Sequence, residues 1–226
     1  MNDIETNRKL INKKQTSLRT ALTSSSDREK AILMLLEQHA SLHSSRISDK
    51  NIWSFEDAIL DGISDYTFRQ IPKNHEHSIA WCIWHIARIE DITMNMLVDC
   101  IDQVFKHDNW QDQLNIRFKH SGNEMKQNEI EELSKTIDLL SLREYRLAVG
   151  KRTREIIAKF NPLEMNTKVE ISRIQKVKEK GAVVESAYGI TDYWSKRTIG
   201  GLFLMPATRH NIVHLNEALR LKKKLT

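Results

Sequence analysis

Long stretches of this chain place apolar residues every three or four positions with almost nothing to interrupt them. Its 226 residues include only 7 Gly and 3 Pro. Sheet-rich folds need turn residues at every strand end, so this scarcity of breakers predicts long helices and an all-α fold. The period is clearest from His77-Ser78 to about Cys100, where Ile79, Cys82, Ile83, Ile86, Ile89, Met96 and Leu97 follow the helical repeat. Arg88, Glu90, Asp91 and Asn95 fall mostly off that stripe. An earlier segment, about Arg28 to Ser44, carries Ile32, Leu35, Leu36 and Leu42 on one side. A third spans about Glu129 to Lys159 and is closed by Asn161-Pro162. The last starts at Pro206, a favoured first-turn residue, and runs to about Leu225. Four such segments with long connections predict a four-helix bundle.

The connections differ in character. Residues 101–130 are polar and contain Gly122; a connection of that length in a compact domain often borders a site. A short amphipathic stretch covers Phe55 to Ile63. Within 163–200, Val169, Ile171, Ile174 and Val177 fit either a short helix closed by Gly181 or an edge strand. Residues 1–27 are polar and end in Ser24-Ser25-Ser26-Asp27, an N-cap signal. They are expected to be a flexible N-terminal arm, with 28–226 forming one domain.

The formal net charge of +5 invites a nucleic-acid reading. The basic residues, however, gather near the start (Arg8, Lys9, Lys13, Lys14, Arg19) and at the end (Lys222, Lys223, Lys224). Cations at the end of a last helix complement its dipole. With no zinc-finger spacing, aromatic RNA-binding signature or basic heptad region, no specific nucleic-acid partner is expected. No apolar run is long enough to predict a membrane span. Cys82 and Cys100 are too few for a disulfide framework, and the polar N-terminus lacks a signal core, so the expected location is cytoplasmic.

Histidines carry the chemistry. Two pairs have the spacing i, i+4, which sets both rings on one helical face: His39 with His43, and His210 with His214. His43 lies beside Ser44, Ser45 and Arg46, which reads as a polar, fraying helix end, so that pair is expected not to ligate metal. His210 and His214 share a stripe with Ala207, Ala218 and Leu221, where a buried imidazole needs a partner. His85, within Trp81-Cys82-Ile83-Trp84-His85-Ile86-Ala87, offers a third nitrogen. His107 and His120 read as surface residues, and His75 and His77 as exposed residues before a helix. Glu90 and Asp91 read as solvated.

The run Ser78-Ile79-Ala80-Trp81-Cys82-Ile83-Trp84-His85-Ile86-Ala87-Arg88-Ile89-Glu90-Asp91 resembles the second-helix motif of the DinB/YfiT-like metalloprotein superfamily. Pro206-Ala207-Thr208-Arg209-His210-Asn211-Ile212-Val213-His214-Leu215 is similar to its last-helix motif. The resemblance implies a DinB-like four-helix bundle, up-down-down-up, often a homodimer. It also implies a divalent metal ion, zinc or nickel, on His85, His210 and His214. Characterised relatives include thiol-dependent S-transferases, maleylpyruvate isomerases that use mycothiol, and hydrolase-like proteins. The implied function is therefore metal-dependent thiol S-transfer or hydrolysis on a small-molecule substrate, with a low-molecular-weight thiol as cosubstrate. A reading of another class stays beside it: a non-catalytic metal- or ligand-binding helical module in stress response.

Overall fold

In the computed structural model, which describes residues 4–24, 27–73 and 76–226, helices carry the fold and no strand forms among those residues. In chain order the helices are α1 (Ile4–Thr23), α2 (Arg28–Leu42), α3 (Phe55–Leu60), α4 (Asp65–Arg69), α5 (Ile79–Asp91), α6 (Trp110–Gln113) and α7 (Gln127–Thr136). They continue as α8 (Leu139–Lys159), α9 (Ile171–Glu179), α10 (Tyr188–Ser195), α11 (Ile199–Leu204) and α12 (His210–Leu225). Short polar side chains start α2, α5 and α8 by accepting from their first-turn N–H groups. Asp27 accepts from Lys30 N at 3.0 Å, Ser78 from Trp81 N at 2.9 Å and Asp138 from Ser141 N at 2.7 Å.

Four helices, α2, α5, α8 and α12, form the bundle, with α5 packed against both α8 and α12. Every residue of α5 is buried, so this helix is central and has no solvent face. Two large apolar clusters fill most of the interior, with a small third at Ala40, Ile47 and Leu147. One includes Phe55, Trp84 and Leu215; the other includes Leu35, Ile89, Trp194 and Phe203.

Several elements depart from the sequence expectation. Most of the predicted flexible arm is α1, whose Ile11, Leu18 and Leu22 are buried. Its inward stripe also carries Asn7 and Gln15, and these polar members hide the period. They are matched from outside: Gln38 Nε2 donates to Ile11 O at 3.1 Å and to Gln15 Oε1 at 3.0 Å, while Gln15 Nε2 donates to Thr208 Oγ1 at 2.9 Å. The third predicted segment is two helices, α7 and α8, because the chain turns extended at Ile137 and Asp138 restarts it. Residues 163–200 hold α9 and α10, and a lone antiparallel bridge joins Lys168 and Thr198.

Pro206 does not begin the last helix. Helical chain runs on from α11 through a π-turn at Met205–Arg209 into α12. Proline has no N–H to give the preceding turn, and a π-turn is a common accommodation of such a break. His210 N then donates to Met205 O, five residues back. No helix among the described residues is long and apolar enough to cross a membrane.

Candidate metal centre

His210 and His214 project from successive turns of α12 with ring centroids 4.6 Å apart. His85 reaches them from α5, its ring 5.0 Å from His210 and 4.9 Å from His214. One ring nitrogen of each lies within 4.8 Å of the others. The structure thus brings together the three residues that the sequence nominated.

Partners around the rings fix which nitrogens are free. His85 Nδ1–H donates to Ser121 O at 2.7 Å, which leaves Nε2 with a lone pair. His214 Nδ1 pairs with Glu217 Oε2 at 2.9 Å, and Glu217 Oε1 pairs with His77 Nδ1 at 2.8 Å. His210 Nδ1 is buried with no hydrogen-bond partner. Burial, and then the neighbouring His210 and His214, hold the His85 imidazole well below its usual pKa. Burial and then His214 push His210 down to about 3. Both rings are neutral at pH 7, the state in which imidazole binds metal. For Glu217 burial acts upward, but hydrogen bonds from His214 and His77 outweigh it and keep the carboxylate ionised. A divalent ion fits this set: convergent nitrogens, an unpartnered buried ring nitrogen, and a carbonyl and a carboxylate holding two rings from behind.

The long connection that the sequence placed beside a site does border it. Arg88 and Asp91, expected at the surface, are fully buried and hold this loop. Arg88 donates to Asp91 Oδ2 at 2.9 Å, Tyr145 Oη at 2.7 Å, Gln103 Oε1 at 2.5 Å and Lys119 O at 2.8 Å. Asp91 accepts from Val104 N at 2.7 Å and Phe105 N at 3.0 Å. The loop then delivers Ser121 O to His85. Gly122 follows with φ +87°, and a Cβ there would lie 2.5 Å from Trp84 and 3.3 Å from His85 Nδ1. Only glycine meets both demands at once.

Other histidines also sit differently from the sequence expectation. His77 stacks on Trp81 with centroids 3.7 Å apart, and Trp81 stacks on His85 at 4.5 Å, a three-ring column at i, i+4 spacing. His120 is half-buried against Trp84 and Phe118, His107 is exposed, and His75 lies outside the described residues. The largest correction concerns His39 and His43. The turn that carries them does not fray: both rings are buried, stacked at 4.1 Å, and paired with Glu90, itself fully buried rather than solvated. Serines after His43 suggested solvent, but Ser54 Oγ instead donates to His43 O at 2.6 Å and seals the helix end. Glu217 stands three residues from His214 and could have been found from that spacing; a backbone acceptor such as Ser121 O leaves no mark in sequence.

Cys82 lies near Glu217, and burial followed by that carboxylate pushes its thiol well above 9. It is not a thiolate nucleophile. A search among curated proteins returns no match. The model of the DinB superfamily matches residues 57–218, from α3 into α12 and across all three site histidines. By that match, which covers most of its length, the chain belongs to the DinB superfamily.

Proposed function

We propose that this protein is a metal-dependent enzyme that binds one divalent ion, zinc or nickel, through His85, His210 and His214 and acts on a small molecule. The observation that carries the reading is the convergence of three imidazoles, two of which, His85 and His214, are held from behind by Ser121 O and Glu217. Three protein ligands leave a coordination position free, the arrangement of catalytic rather than structural zinc. When bound, such an ion supplies Lewis acidity toward a thiol or a water. Thiol S-transfer or conjugation is favoured over hydrolysis. Cys82 is too buried and too weakly acidic to serve as the sulfur nucleophile, so the thiol comes from a low-molecular-weight cosubstrate. Glu217 holds His214 and His77 in fixed orientation, and the aromatic column of His77, Trp81 and His85 walls one side against water. The reading includes a homodimer in the cytoplasm.

Metal analysis of untagged protein, followed by turnover assays with a thiol and an electrophile, tests this. His214→Ala is expected to abolish turnover and the ion at this centre. Full metal content in that variant would overturn the ligand assignment. A metal-loaded protein without turnover across thiol classes would instead establish the non-catalytic module.

A further inference from the structure

A second group of metal-ligating side chains lies in the core beside the first. His39 and His43 come from the last turn of α2 and Glu90 from the end of α5, with side-chain exposures of 0%, 1% and 0%. His39 Nε2 lies 2.8 Å from Glu90 Oε1, and His43 Nε2 lies 3.1 Å from Oε2. Asn211, the residue after His210, donates to the same Oε2 at 2.9 Å. The three ligand atoms fall within 4.8 Å of one another. A helix supplying two histidines four apart and a neighbour supplying a carboxylate is a zinc-type donor set.

The cluster carries a charge into the core. Glu90 brings a carboxylate there, and its partners are the two imidazoles and the neutral amide of Asn211. Arg146, the cation nearby, is taken by Glu56 Oε2 at 2.6 Å and Leu42 O at 3.0 Å. Nδ1 of both rings has no partner, so Nε2 is the nitrogen by which each ring meets Glu90.

The geometry nearly accommodates an ion. Zinc-type bonds of about 2.0–2.2 Å set tetrahedral ligand atoms about 3.3 Å apart. The observed 2.8 and 3.1 Å need open by only a few tenths of an ångström. Gly150 of α8 makes room for the His43 ring itself, which turns its Nε2 to Glu90: a Cβ there would lie 2.7 Å from His43 Nδ1.

We propose that His39, His43 and Glu90 form a second divalent-metal site, closed to solvent, adjoining the three-histidine centre and selective for a zinc-class ion. Its role is to hold the C-terminal turn of α2 to α5 and, through Asn211, to the helix that carries His210 and His214. Being sealed, it exchanges its ion far more slowly than the first site, where His214 retains 14% side-chain exposure.

The test uses full-length protein, freed of metal by unfolding in chelator and refolded, then titrated with cobalt(II) alone. Wild type should take two equivalents. His214→Ala and Glu90→Gln should each take one, and the double variant none. Glu90→Gln preserves side-chain shape, and its fold is checked by circular dichroism. A second readout needs no variant: chelator should strip one ion from loaded wild type quickly and the other only on unfolding. A single equivalent that Glu90→Gln retains, or two equivalents that it retains, overturns this proposal. A single equivalent lost in Glu90→Gln but kept in His214→Ala upholds it and sinks the three-histidine centre instead.

Discussion

At the scale of single residues, Ser121 O and Glu217 orient two of the three clustered histidines, and on the proposed reading they set how tightly a metal is held. Glu217 accepts from His214 Nδ1 at 2.9 Å and thereby keeps Nε2 as the donor nitrogen. Replacing such a partner typically weakens metal binding by about 10–100-fold. Glu217→Gln is therefore expected to lower zinc affinity at the His85 centre within that range while leaving the three ligands in place. Competition with a chromophoric chelator measures it, and unchanged affinity would mean that Glu217 serves only His77. Arg88 makes a harsher case, because its guanidinium is the cation beside the buried Asp91 carboxylate. Removing one partner of a buried ion pair costs about 3–5 kcal/mol. Arg88→Ala should lose stability of that order in urea unfolding. A loss near zero would show that the other donors to Asp91, namely Val104 N, Phe105 N, Asn95 Nδ2 and Tyr145 Oη, satisfy it without Arg88.

Among the elements, α5 and the 101–130 connection work as one unit, and Gly122 is its tightest point. Gly122→Ala must strain a backbone at φ +87° and push against Trp84. Strain of this kind costs about 1–3 kcal/mol. The variant should also release Ser121 O from His85, so metal affinity should fall along with stability. Calorimetry and metal titration check the two effects, and a destabilised protein with wild-type affinity would separate the loop from the site. The existence of the bundle, the three-histidine cluster and the loop beside it were legible because each left a pattern: helical periods, an i, i+4 pair, a long polar run. α5 shows where pattern fails. Arg88, Glu90 and Asp91 lie off its apolar stripe, which in a surface helix would mean solvent. Here the helix is enclosed on all sides, and the off-stripe positions face buried partners on α2 and the connection. α1 fails in the opposite direction, since Asn7 and Gln15 interrupt a stripe that their own buried partners complete.

For the whole molecule, burial of neutral histidines couples stability to pH. In the unfolded chain an imidazole takes up its proton near pH 6.5. In the folded metal-free protein burial holds His43 neutral down to about 3, and His85 is depressed in the same direction. Between these limits the unfolded state binds more protons than the native one, so stability rises with pH and is lost as pH falls below 6.5. Each such group contributes a slope of about 1.4 kcal/mol per pH unit once the unfolded imidazole is fully protonated. Three imidazoles protonated when free would set metal against up to three protons below that pH. With His85 and His210 already neutral in the folded chain, binding should release far fewer, and acid should remove metal mainly by unfolding the bundle. Glu56 pulls the other way: burial raises its carboxyl pKa despite Arg146, and such a group gains stability as pH falls. The single-group effect is isolated by comparing wild type with His43→Gln, both metal-free, in urea unfolding from pH 6.5 to 4.5. The variant should lose about 1.4 kcal/mol per pH unit of acid sensitivity toward the lower end of that range. Parallel profiles for the two proteins would mean that His43 is protonated in the folded core, and Glu90 would then already have its counter-charge.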